Sequence, residues 1–200
     1  MKSFCLCLPE YPEEIESAKK HFAESGLEDV EFFWGINAPL AGLSTAHPYE
    51  LDNPGSGYHI GAKQTGIWLS HWMLWNHLSH MEGERFMIVE TDAKFLDGWK
   101  EKLAEALKLA PTNFDILHIG HCCLEGHPRT HVGGDLYETK HAQCTHCYIV
   151  RRAALLFLLR TLRKCYAPID IQMQLECFPH LNTYAIIPRI VDQTNTLLAK

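Results

Sequence analysis

Short runs of β-forming residues alternate with longer helix-favouring segments along most of this chain, and that alternation restricts it to an α/β architecture. Residues 3–8 form an apolar run ended by Pro9, and residues 12–25 follow as a charged, helix-favouring segment stopped by Gly26. Residues 30–35, rich in β-formers and ended by a glycine, complete a strand–helix–strand unit with an expected right-handed crossover. Residues 65–80 have a helical period in which Trp68, Trp72 and Trp75 mark one buried face. A strand is expected over 85–90, a helix over 97–109 stopped by Pro111, and an apolar strand over 114–119 ended by Gly120. Residues 144–150 are strand-like, 151–164 amphipathic and helical, 170–178 weakly helical, and 182–187 a last strand before Pro188.

Two stretches break the alternation. Residues 36–62 carry Pro39, Gly42, Pro48, Asn53-Pro54-Gly55 and Gly57 and are expected to form a long loop of the functional-lid kind. Residues 121–143, with Gly126, Pro128 and Gly133-Gly134, are expected to be loop with a short hairpin. The expected fold is α/β: one domain over residues 1–200, a mostly parallel central sheet, and helices on both faces. Ligands bind such sheets beyond the carboxyl ends of the strands, which directs attention to the turns after Leu8, Val89, Ile119 and Ile187.

Charge and hydropathy remove several functions. A net charge of −6 opposes binding to a phosphate backbone, and the short basic clusters Arg151-Arg152 and Arg160…Arg163-Lys164 flank an apolar helical segment as solvated ends, so no nucleic-acid partner is expected. No apolar run approaches the roughly 20 residues of a transmembrane helix. The apolar start stops at Pro9-Glu10 without a small-residue cleavage site, which gives a cytoplasmic expectation. In that setting the eight cysteines read as reduced, mostly buried thiols.

The strand Arg85-Phe86-Met87-Ile88-Val89 runs directly into Glu90-Thr91-Asp92, two carboxylates separated by one residue. Hard oxygen ligands at a strand's carboxyl end suit Mg²⁺ or Mn²⁺, and such an ion can bridge to a leaving diphosphate and neutralise its charge. The turn Glu90-Thr91-Asp92 is therefore the expected meeting point of a metal and a diphosphate, with Asp92 the better ligand and Glu90 a ligand or a holder of the turn. The competing assignment is two solvated acids capping the next helix. Lys63 and Gln64, at the start of a helix, are placed to meet a phosphate or sugar, against the alternative of an exposed loop lysine. His146 can complete the metal shell or be a buried, hydrogen-bonded histidine. Gln193 and Asp192 follow the last strand and can bind sugar hydroxyls or lie in an exposed tail. Trp34 can stack on a base or sugar or belong to the core.

Beyond that strand, the chain carries Gly-x-x-Leu-Ser-His-x-x-x-Trp at 66–75, Phe-Asp-Ile-Leu-x-x-Gly at 114–120, Thr-x-x-Tyr at 145–148, Pro-x-Asp at 168–170, and a closing Tyr184-Ala185…Pro188-Arg189-Ile190-Val191…Gln193. In this order the segments resemble the family 25 glycosyltransferases, which include lipopolysaccharide and procollagen sugar transferases. The resemblance implies a GT-A-like fold, a nucleotide-diphosphate sugar donor, and hexosyltransferase-like transfer with inversion to a glycan or other hydroxyl acceptor. It also implies a base for the acceptor hydroxyl, and Asp170 stands at the position of the family's Pro-x-Asp element. The alternative there is an N-cap for the helix beginning near Ile171. The chain departs from the family where Thr91 replaces a middle carboxylate and where Cys7-Leu8-Pro9-Glu10 replaces an Asn-Leu-Asp-Arg motif.

Two other readings remain open on the sequence. One is a nucleotide-sugar or glycan-binding domain without turnover, suggested by Thr91. The other is a zinc-stabilised interaction domain built on His118, His121, Cys122, Cys123, His127, His131, His141, Cys144, His146 and Cys147, in which Cys144-x-x-Cys147 has zinc-like spacing. A mid-helix His71 is expected to fasten its helix to a neighbouring backbone carbonyl.

Overall fold

Pro12 can open a helix because its missing N–H would be unpaired there anyway, and Gly26 can close one in the left-handed conformation. The computed structural model, which describes residues 1–42, 60–122 and 124–194, has α1 (Pro12–Ser25) between those two residues, with Gly26 at φ 74°. It joins β1 (Lys2–Cys7) to β2 (Val30–Trp34), which pair in parallel. Then come α2 (Ala62–Ser79), β3 (Arg85–Glu90), β4 (Ala93–Phe95), α3 (Trp99–Leu109) and β5 (Ile116–Cys122). The hairpin β6 (Arg129–Gly133) and β7 (Leu136–Thr139) leads to β8 (Gln143–Arg151) and α4 (Arg152–Thr161). A short α5 (Ile169–Gln172) widens into a π-helical turn (Met173–Cys177) and a 3-10 turn (Phe178–His180) before β9 (Thr183–Ile186) and β10 (Val191–Gln193). Residues 43–59 of the expected long loop lie outside the described residues, as does Cys123.

One mixed sheet runs β2-β1-β3-β8-β5-β9-β7-β6, with β10 bridging β4 and β5. The expectation of a mostly parallel sheet holds for β2-β1-β3 and for β5 with β9. It breaks at β8, which is antiparallel to both β3 and β5. Strand β8 enters beside Cys122 and leaves beside Ile116, so it runs back down the sheet. An apolar run such as Cys147-Tyr148-Ile149-Val150 records burial on two faces and says nothing of direction.

Strand alternation divides the core into two layers. Phe4, Leu6, Phe86, Ile88, Ile116, Tyr148 and Val150 pack against Trp68, Leu74 and Trp75 of α2 and Leu155 and Leu158 of α4. The intervening Cys5, Met87, Val89, Leu117, Ile119, Cys147 and Ile149 pack against Phe22 of α1 and Trp99 and Leu103 of α3. Trp68 and Trp75 are buried and Trp72 is half-buried, as the tryptophan spacing requires. Among the described residues no helix is long and apolar enough to cross a membrane.

Candidate active site

Strands β1, β2, β3 and β5 share a direction, so their carboxyl ends lie along one edge, where antiparallel β8 begins. Helix α2 is pulled tightly against this edge. A Cβ on Gly66 would stand 2.6 Å from the Ile36 carbonyl oxygen, so only glycine permits the approach. One turn on, Ser70 Oγ donates to the Gly66 carbonyl and accepts the Ile36 N–H at 2.8 Å.

The next residue, His71, carries the network that fixes Glu90. Its Nε2 lies 3.2 Å from Glu90 Oε1, and its Nδ1 lies 3.0 Å from the Tyr148 hydroxyl. Trp75 Nε1 donates to that same hydroxyl at 2.8 Å. A carboxylate only accepts, so Nε2 carries the proton and Nδ1 accepts from Tyr148. Thr145 Oγ1 donates to Glu90 Oε1 at 2.7 Å. Burial alone would raise the Glu90 carboxyl, but His71 and Thr145 overturn that effect and hold it below its ordinary value. The expected bond from His71 to a backbone carbonyl is thus replaced by one to the acid.

Asp92, two residues on, has the opposite environment. Burial and the nearby Glu90 charge raise its carboxyl to about 7. Its Oδ2 accepts from Gln193 Nε2 at 3.2 Å, and its main-chain oxygen accepts the Thr194 N–H at 2.9 Å. Its Oδ1 is buried with no hydrogen-bond partner among the described residues. Gln193 therefore does reach the acidic turn, carried there by β10, which pairs Gln193 with Ala93 in antiparallel register. Thr91 stands half-buried in the turn itself.

The three expected metal ligands do not close into a cage: among the described residues no three His, Cys, Asp or Glu side chains converge on a metal position. His146 has another task. Its Nε2 lies 3.2 Å from the Val191 carbonyl, which fastens β10 to β8, and its ring fills the space that a Gly120 side chain would need. Burial depresses the basicity of His146, of His118 to about 3 and of His121 to about 4. Magnesium and manganese sites built on one or two carboxylates plus phosphate and water need no cage. The buried, unpartnered Asp92 Oδ1 fits such an ion, and Glu90 Oε2 has no hydrogen bond among the described residues.

Asp170 lies at the same edge. Its Oδ2 accepts the Cys144 N–H and its Oδ1 the Ile171 N–H, both at 2.9 Å, so it ties α5 to the start of β8. Gln64 Oε1 accepts the Gly61 N–H at 3.0 Å and caps α2, while Lys63 beside it is exposed. Trp34, assigned alternatively to the core, is 55% exposed at the carboxyl end of β2.

Cysteine chemistry needs two corrections. Cys5, Cys7, Cys147, Cys165 and Cys177 are buried thiols as expected, but Cys122 and Cys144 form a disulfide. That bond removes Cys144 from the zinc-spaced pair with Cys147.

No family model matches the chain, and no curated protein matches it. Among solved structures, a glycosyltransferase involved in glycosylation of the major capsid of PBCV-1 superposes with a TM-score of 0.56 at 11% identity, over 98% of this chain and 92% of that one. The chain shares that fold, a mixed α/β domain of GT-A-like form. An active-site mutant of LgtC gives a TM-score of 0.45 at 10% identity, over 96% of this chain and 86% of that one. An inositol-1-phosphate CTP transferase from T. maritima gives 0.46 at 10% identity, over 96% and 88%. These last two scores are too low to add to the fold assignment.

Proposed function

We propose that the chain is a glycosyltransferase that takes a sugar from a nucleotide-diphosphate donor and passes it, with inversion, to a glycan or other hydroxyl acceptor. The observation that carries this reading is Asp92: a buried carboxylate oxygen without a partner among the described residues, at the carboxyl edge of a fold shared with a capsid glycosyltransferase. Asp92, with Glu90 behind it, would hold Mn²⁺ or Mg²⁺, which supplies charge neutralisation for the departing diphosphate. The residues then divide the work. His71 and Thr145 hold Glu90 and thereby the turn. Gln193 orients Asp92 and meets donor hydroxyls. Trp34 offers an open indole face to the base, and Lys63 adds a positive charge at the start of α2. Asp170 accepts the proton of the attacking hydroxyl.

A panel of nucleotide sugars assayed for nucleotide release with Mn²⁺ tests the reading directly. The active donor should also raise thermal stability in the presence of Mn²⁺ through mass action. Asp92→Ala should lose both effects while keeping the fold, and Asp170→Asn should bind donor yet fail in transfer. Wild-type protein that releases no nucleotide from any donor, and melts unchanged with Mn²⁺ and nucleotide, would overturn the proposal.

A further inference from the structure

Two departures from regular backbone and a disulfide meet where β8 begins. Cys144 has a positive φ of 67°, and its disulfide to Cys122 fixes it to the end of β5. On the facing segment, α5 opens into the π-helical turn Met173–Cys177. Left-handed non-glycine residues and π-turns are costly and gather at functional sites.

These features hold a polar strip. From Asp170, bonded to the Cys144 N–H, it passes to Gln143, whose Nε2 donates to Gln174 Oε1 at 2.8 Å. Gln174 Nε2 lies 3.3 Å from His141 Nδ1, and the His141 ring stacks on His127 at 4.7 Å and 15°. None of these side chains belongs to either main core layer, and His127 is exposed.

The order of donors and acceptors is fixed along the strip. Gln174 can only donate to His141 Nδ1, so His141 keeps its proton on Nε2 and presents it as a donor. Gln143 spends an N–H on Gln174 and keeps its carbonyl oxygen as an acceptor. Paired neutral donors and acceptors beside an aromatic face suit the hydroxyls and C–H face of a sugar. A phosphate would call for arginine or lysine instead, and the strip contains neither.

We propose that this strip is the acceptor subsite and that it takes a neutral saccharide, an inference that rests on the glycosyl-transfer reading of the adjoining acidic turn. Asp170 at its inner end would then face the hydroxyl bound beside Gln143.

The test applies the full chain to an immobilised panel of neutral and acidic mono-, di- and trisaccharides, without donor or metal. Wild type should capture at least one neutral saccharide. Gln174→Ala and His141→Ala should each weaken that capture about tenfold, the effect of one lost hydrogen bond and its disordered neighbour. His127→Ala, at an exposed ring that supports no core, should weaken it as well, and cooperative melting of each variant confirms folding. Capture of no neutral saccharide, capture of acidic glycans alone, or binding indifferent to all three substitutions overturns the subsite. Nucleotide release by wild type is measured separately, so loss of the transfer reading is distinguishable from loss of the subsite.

Discussion

Replacing Asp92 by asparagine should stabilise the metal-free protein above neutral pH. The Asp92 carboxyl titrates at about 7 in the fold against 3.8 as a free side chain. Between those values the folded chain holds a proton that the unfolded chain has released, so wild-type stability falls as pH rises and levels off above about 7. The whole difference corresponds to about 4 kcal/mol, of which about 2.5 kcal/mol falls between pH 5 and pH 8. Asparagine carries no such titration, although its amide must occupy the place of the unpartnered Oδ1 at a cost of about 1–3 kcal/mol that does not vary with pH. Urea unfolding of both proteins at pH 5 and pH 8 isolates the pH-dependent part. The gap between them should move by about 2.5 kcal/mol in favour of asparagine on going to pH 8. Saturating Mn²⁺ should stabilise wild type at pH 8 and leave Asp92→Asn unmoved. A gap that is the same at both pH values would refute the assigned environment of Asp92.

Three further outcomes follow from neighbouring contacts. His71→Ala removes the donor to Glu90 and the acceptor for Tyr148, and should cost about 3 kcal/mol at pH 7 by urea unfolding. The variant should also lose less on acidification than wild type, because a carboxyl held low contributes stability that vanishes as pH falls through its folded value. Gly120→Ala drives a methyl group into the His146 ring and should cost about 2 kcal/mol, shrinking sharply in a His146→Ala background when the double-mutant cycle is measured. Cys122→Ser, or a dithiol reductant, should lower the unfolding free energy by about 3 kcal/mol, the value for a closed loop of this separation, whereas a protein whose urea midpoint ignores reductant has no such bond.

The strong local signals in the sequence were legible. Pro12 and Gly26 bound α1 as expected, and the tryptophan period placed the inner face of α2. The acidic turn after Val89 was likewise visible from an apolar strand that ends in carboxylates, whereas nothing in the sequence set Gln193 against Asp92. Strands β4 and β10 were not, because three residues are too few for a period to declare itself. The antiparallel run of β8 escaped because burial on two faces looks the same in either direction. The Cys122 pairing escaped because spacing does not determine which cysteines meet. His71 showed only that a mid-helix histidine needs a partner. Its partners lie 19 and 77 residues away, and no local rule selects Glu90 and Tyr148 over a backbone carbonyl.

Those long-range contacts explain why two acids separated by one residue need not be equivalent. Glu90 ends a strand and turns toward α2, where His71 and Thr145 supply the donors that keep it ionised. Asp92 lies past the turn against β10, where one amide reaches one of its oxygens and burial resists its charge. Environments that push two carboxyls apart assign them different tasks. Glu90, held ionised by His71 and Thr145, serves to hold the turn, while Asp92 keeps its proton up to about pH 7 and, under the proposed function, would be drawn into its anionic form by a bound cation. A middle carboxylate at Thr91 would add charge beside Asp92 and raise its carboxyl further. Threonine there adds no such charge, so under the proposed function metal affinity would rest chiefly on Asp92, a side chain that can be tested by itself.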